Sequence, residues 1–467
     1  MRCGFAALVL GAGLISLKYH GVAAVQQCRL QISANTNGGS SGTPSSPSAS
    51  TTEASSTTST SPSSSPSALP PFQYGKAPVR GVNLGGWFVL EPWITPSIFN
   101  NTNNTAIVDE YTFGQYLEGN VALQILQDHW NTWITESDFI AINAAGLTHV
   151  RIPVGYWSVP TGVSVAPFIS GAWPYLLRAL QWARKHSIYV ILDLHGAPGS
   201  QNGYDNSGQR TSNPVWGVNP ENVTRTLNVL SVIASEVGGM VDIIELLNEA
   251  AGFTGGSWPA TIRSFWQDGY VVVRNATGPN VKVMIGDAFL GVQSWTDFLT
   301  YPSAQGVLMD YHDYQIFSVP ELSRSQDQHV AFACTLLPGL QSFANSNLWT
   351  LTGEWSTAIT DCALWLNGRG VGSRWDGTYD STPALGSCDG FTGDSSSFSS
   401  SYKAFLRKYW EVQVEIGESL QGWAYWTWKA ENADEWSYQK GLEGGWIPMD
   451  PSDRLYPGLC SGNSTGD

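Results

Sequence analysis

Residues Trp349-Thr350-Leu351-Thr352-Gly353-Glu354-Trp355 make a short run that ends in one carboxylate held between a glycine and a tryptophan. Aromatic and β-branched residues dominate it, which predicts a strand. An earlier run, 242–249 (Asp-Ile-Ile-Glu-Leu-Leu-Asn-Glu), ends in the same manner, with Glu249 preceded by Asn248. Each of these segments therefore delivers a glutamate at its C-terminal end.

Six more runs of this kind surround them, at 79–84, 149–154, 189–195, 281–289, 307–314 and 420–428. Most are continuously apolar rather than alternating, the pattern of parallel strands covered on both faces. Amphipathic stretches at 136–145, 173–186, 222–237, 260–275 and 401–416 lie between several of them. Eight strands alternating with helices predict a (β/α)8 TIM barrel with extended loops. A doubly wound open sheet competes with it, but no glycine-rich phosphate turn follows any strand.

The ends of the chain differ from this body. Arg2 precedes an apolar stretch over 5–17, and Val22-Ala23-Ala24 offers small residues for cleavage, so 1–24 is expected to be a secretory signal. Residues 25–71 are dominated by Ser, Thr, Pro, Ala and Gly and are expected to be a disordered linker. The catalytic body then occupies 72–467 as one domain, with no second low-complexity break. Asn100, Asn103, Asn222, Asn275 and Asn463 each open an N-x-S/T triplet, in keeping with export.

Net charge is −15 and Lys plus Arg total only 23, with no basic run, which argues against a nucleic-acid partner. No later segment is long and apolar enough to span a bilayer. Most of the 21 tryptophans are expected to pack in the core; sugars also present C–H faces that stack on such rings, so an aromatic-rich acidic chain fits a carbohydrate enzyme. Cys334, Cys362, Cys388 and Cys460 lack metal-type spacing, so neither zinc nor another metal is expected; in an exported chain they read as two disulfides, with three connectivities open.

In a TIM barrel the active site lies at the C-terminal ends of the strands. Polar residues gather at those ends here: Arg151, His195, Asn248 with Glu249, His312 with Tyr314, and Glu354, followed by Trp426 and Trp428. Alone, a strand-end glutamate is more often an ion-pair or surface residue. Two of them within such a set fit a retaining glycosidase, whose carboxylates stand about 5–5.5 Å apart. One attacks the anomeric carbon; the other, its pKa raised, protonates the leaving oxygen and then activates water.

Longer motifs carry a resemblance. Arg80-Gly81-Val82-Asn83-Leu84-Gly85-Gly86-Trp87 leads into Glu91-Pro92-Trp93; the segments 149–153, 193–208, 310–317, the Gly-Glu-Trp-Ser at Glu354 and 425–432 follow in order. The body resembles the fungal exo-β-1,3-glucanases of glycoside hydrolase family 5. That resemblance implies Glu249 as acid/base and Glu354 as nucleophile, with Arg151 and Tyr314 holding Glu354 ionised. It implies Asn248 on the sugar 2-hydroxyl, Glu91, His195, Asn206 and His312 on the terminal glucose, and Trp426 beneath its ring. Tyr204 and Phe317 would clamp the next sugar, and the disulfides would be Cys334–Cys460 and Cys362–Cys388. Three positions depart from the family pattern: Ala250 replaces a proline after the acid/base, Tyr311-His312 replaces paired histidines, and Tyr204 stands where phenylalanine is commoner.

The expectation is therefore a secreted or cell-wall-associated, monomeric hydrolase that needs no cofactor. It would release glucose from the non-reducing ends of β-1,3-glucan with retention. A β-1,6-glucanase, a broad β-glucosidase, or a catalytically silent glucan-binding wall protein are the alternatives.

Overall fold

The computed structural model describes residues 69–379, 381 and 383–461. The expected signal over 1–24, nearly all of the expected linker over 25–71, Cys3, Cys28 and Asn463 lie outside them. Eight parallel strands close in sequential order into a barrel. They are β1 (Val79–Asn83), β2 (His149–Gly155), β3 (Tyr189–Gly196) and β4 (Ile243–Glu245), then β5 (Lys282–Gly286), β6 (Val307–Asp313), β7 (Trp349–Trp355) and β8 (Gly422–Tyr425). The helices are α1 (Pro96–Asn101), α2 (Glu110–Tyr116), α3 (Gly119–Thr132), α4 (Glu136–Ala144), α5 (Trp173–Lys185) and α6 (Pro220–Val237). After them come α7 (Trp258–Thr277), α8 (Val319–Leu322), α9 (Gln326–Ser346), α10 (Ser400–Glu418) and α11 (Tyr438–Gly444).

Helix starts follow local chemistry. Asn219 accepts the Glu221 amide ahead of α6, whose first residue, Pro220, has no amide hydrogen to leave unpaired. Ser325 and Gln328 form a capping box on α9. The apolar faces of these helices bury against the outside of the barrel in one continuous core.

Two strands are shorter than expected. β4 ends at Glu245 because the chain turns beyond it, although the Leu246 and Asn248 amides still bond to Met284 and Leu194 carbonyls. Glu249 itself has φ 46°, a left-handed conformation costly for a side chain with a Cβ. β8 ends at Tyr425, before Trp426.

Inside the barrel, positions two apart on each strand face inward. At the lower end they are apolar: Val79, Ile191, Ile243, Met284, Leu308 and Leu351 form a closed layer capped by Phe72 and Tyr74. The Tyr74 hydroxyl lies 3.2 Å from His149 Nε2, and Tyr189 donates to the Pro70 carbonyl. Cys334–Cys460 and Cys362–Cys388 are bonded, closing separations of 126 and 26 residues. Loop-closure entropy makes each worth roughly 3–5 kcal/mol. No helix among the described residues is long and apolar enough to cross a membrane. Of the sequons, Asn222 is buried within α6.

Candidate active site

Climbing each strand by two residues from the apolar layer changes the chemistry. Ile191 gives way to Asp193 and His195 on β3, Ile243 to Glu245 on β4, and Leu308 to Asp310 and His312 on β6. On β7 strict alternation would aim Glu354 out of the barrel. The register slips there: Thr352 pairs with Tyr311, Glu354 with His312, and Gly353 is left over. This bulge turns Glu354 inward. Only glycine fits at 353, because a Cβ there would stand 2.1 Å from Asp310 Oδ1, which accepts the Gly353 amide.

Arg151 is the hub beneath the mouth. Its guanidinium donates to Glu245 and Glu354, each at 2.8 Å, to Asn248 at 2.8 Å and to Asn83 at 3.0 Å. Asp193 stands 3.1 Å away and Asp310 3.9 Å. So many buried carboxylates are tolerable only because this cation and its hydrogen bonds are shared among them. Burial pushes the Glu245 carboxyl well up, so it holds its proton more readily than an exposed one.

Above the hub sit the two expected glutamates. Glu249 accepts from Asn206 Nδ2 at 2.8 Å, and its other oxygen lies 3.0 Å from His312 Nδ1. Glu354 accepts from Arg151 and from the Tyr314 hydroxyl at 3.1 Å, and His312 Nδ1 is 3.5 Å from it. One oxygen of each glutamate and a His312 nitrogen lie within 4.8 Å of one another. Three such donors could in principle grip a cation, but the neighbouring Arg151 and a charged His312 already supply positive charge there.

The charge states differ from the simple expectation. Burial is the largest single influence on Glu249 and raises it, but the hydrogen bond and charge of His312, the Asn206 hydrogen bond and the His195 charge together hold the carboxyl below its ordinary value. Glu354 is raised instead: burial and the Glu249 charge prevail over His312 and Arg151. Burial works against a charged His312, but Glu354 and Asp310 hold its pKa well above the usual histidine value. These directions favour a proton on the His312 imidazole over one on Glu249, the reverse of the raised Glu249 that the sequence leads one to expect.

The remaining expected residues fall into two groups. His195 bonds to Asp193 at 2.5 Å, lies 3.4 Å from Asn248 and stacks on Trp426 with ring centroids 5.5 Å apart. Glu91 is buried, accepts from Trp93 Nε1 at 3.0 Å, and keeps its other oxygen without a partner. Tyr204 and Phe317 stand outside the hydrogen-bonded network, 48% and 44% exposed, with Phe317 edge-on to Tyr314. Both belong to the rim. Asn206 and His312, expected on the sugar, bond Glu249 here. Asn83, Asp193, Glu245 and Asp310 escaped the sequence reading, although counting by twos along each strand would have reached them. Asp205 escaped too; its Oδ2 is buried without a partner, and burial pushes its carboxyl up to about 7.

Comparison with known proteins gives the family and the fold. Residues 112–364 match the family model described as Cellulase (glycosyl hydrolase family 5). The chain is 44% identical over 402 residues to a Glucan 1,3-beta-glucosidase 2 of Wickerhamomyces anomalus, covering 83% of this chain and 92% of that one. A Glucan 1,3-beta-glucosidase of Blumeria graminis is 43% identical over 397 residues, covering 83% and 91%. Among solved structures, a rutinosidase from Aspergillus niger superposes with a TM-score of 0.64 at 18% identity, over 81% of this chain and 100% of that one. This last likeness is one of fold.

Proposed function

The chain belongs to glycosyl hydrolase family 5, and from that premise we propose that it is an exo-acting β-1,3-glucosidase that removes glucose from the non-reducing ends of glucan with retention of configuration. The observation that carries the proposal is the approach of Glu249 and Glu354 to within 4.8 Å, oxygen to oxygen. That is the spacing of direct attack; an inverting pair stands about 6.5–9.5 Å apart to admit a water between them.

Glu354 is the nucleophile in this reading, because Arg151 and Tyr314 fix both of its oxygens and leave it aimed into the mouth. Glu249 is the acid/base. Its proton arrives from His312, whose Nδ1 faces Glu249 Oε1. Glu249 passes that proton to the leaving oxygen as Glu354 closes on the anomeric carbon. In the second half-reaction Glu249 takes a proton from water, whose oxygen displaces Glu354, and the cluster regains its starting charge. Asn248, pinned by Arg151, is set to meet the sugar 2-hydroxyl, and the His195–Trp426 stack offers a flat face to the ring. Glu91, with one oxygen free, would take further hydroxyls.

The relatives named as glucan 1,3-beta-glucosidases support a glucan substrate. Two disulfides support a site of action outside the reducing cell interior, at or near a glucan-bearing wall. The first 24 residues as signal, 25–71 as linker and a monomeric body complete the proposal. Incubation with laminarin and with pustulan, followed by product analysis and NMR of the first-formed anomer, tests it. β-Glucose from laminarin is expected; preferential turnover of pustulan would move the linkage to β-1,6, and α-glucose or no turnover would overturn the reading.

A further inference from the structure

The connection between β7 and α10 is long, and it is tied down at several points. Asp361, buried, accepts the amides of Arg374 and Trp375 and the Asn367 side chain. The Cys362–Cys388 bond closes its base. Trp365, Leu366 and Trp375 from this connection pack on the cluster that contains Trp93, Trp426 and Trp436. It is therefore a wall of the mouth.

One residue at its crest contacts other loops in an unusual way. Arg369 is only 8% exposed, yet no carboxylate pairs with it among the described residues. Its guanidinium donates to three backbone carbonyls of the segment after β1: Phe99 at 2.8 Å, Asn104 at 2.9 Å, and Ile107. The Phe99 and Trp365 rings lie beneath and beside it, 5.8 and 5.0 Å from its centre. Its own carbonyl accepts from Arg210, on the loop after β3. The Arg210 amide in turn donates to Asp109, and the Tyr111 amide to Gly208. Three loops from three strands thus meet at Arg369.

The segments tied at this junction also carry two of the site's carboxyls. The segment after β1 carries Glu91, and the loop after β3 carries Asp205, each with a buried oxygen that has no partner. The two carboxyls are near enough for Asp205 to raise Glu91, and Asp205 feels both Arg210 and Asp109.

We propose that Arg369 is a positioning residue that shuts one end of the pocket: by stapling the β1, β3 and β7 loops at one point it fixes the Glu91–Asp205 wall and restricts cleavage to the last sugar. The proposal rests on the glucan-hydrolase reading above. A guanidinium is suited to the task, since its rigid planar fork of five N–H donors holds several carbonyls in a fixed arrangement, where an ammonium offers three donors from a single point on a flexible stem.

The test uses laminarin whose non-reducing ends have been oxidised with periodate, which spares internal 1,3-linked residues. Wild-type enzyme should release glucose from native laminarin and leave the end-oxidised polymer intact. Arg369→Ala should show kcat within about twofold on native laminarin, KM raised about tenfold, and cleavage of the end-oxidised polymer to fragments longer than glucose. Arg369→Lys should fall between the two. If Arg369→Ala does not accumulate folded, Arg369→Lys and Arg210→Ala carry the test, each expected to raise KM and to admit the blocked polymer. Folded variants that match wild type in KM and in refusing the blocked polymer would overturn the proposal. A wild-type enzyme inactive on native laminarin would instead sink the assignment of function, which separates the two failures.

Discussion

The lower and upper ends of the barrel are built from the same strands and differ almost completely in character. Below, six apolar side chains fill the interior and two aromatic rings cap them. Above, the inward positions hold one guanidinium facing four carboxylates, with His312 spanning both Glu249 and Glu354. The lower layer is stable by burial alone, at about 25 cal/mol for each Å² of apolar surface removed from water. The upper layer concentrates like charge, left-handed backbone at Glu249 and unpartnered oxygens at Glu91 and Asp205, all of which cost stability. One end holds the molecule together so that the other can stay poised.

Substitutions can break this contrast. Glu354→Gln should lower kcat by about 10⁴-fold or more while leaving the melting temperature level or slightly higher, because it removes a carboxylate whose charge is disfavoured first by burial and then by Glu249. A matched loss of stability would show that the upper end is structural after all. Arg151→Met strands several carboxylates without their cation and should cost about 3–5 kcal/mol in chemical denaturation as well as activity. Leu308→Ala in the lower layer should cost about 2–5 kcal/mol yet keep kcat within about twofold, the reverse of Glu354→Gln.

The smallest effect is a pH dependence. His312 is raised in the folded protein, so its stabilising contribution is complete below its unfolded value of about 6.5 and fades as pH rises through the folded one. Melting temperature should therefore fall toward alkaline pH, and His312→Gln should flatten that slope. A wild-type slope identical to that of the variant would remove the charge-bridging role from His312.

Much of this contrast could be read before any coordinates. Strands such as β7 and β6 announce themselves by apolar runs that end in Glu354 and His312, because a parallel strand buried on both faces has few other compositions open to it. Helix α9 did not, since Pro338 and Gly339 interrupt its pattern; its capping box and its packing against the barrel hold it despite them. The Gly353 bulge was equally hidden, although it decides which way Glu354 points: a register slip depends on the neighbouring strand and leaves no mark in composition. The proton on His312 was missed for a similar reason. It arises from three-dimensional crowding of Glu249, Glu354 and Asp310, residues far apart along the chain. Arg369 offered no sequence signal at all, because its partners are main-chain carbonyls.

The aromatic cap formed by Phe72 and Tyr74 has a practical corollary. It fastens residues 70–74 beneath the strands, beside Tyr189 and His149, at the opposite pole from Glu249 and Glu354. Anchoring the body to a bead, a fibre or a second protein through residue 69 would leave the sugar-accepting face turned outward and unobstructed.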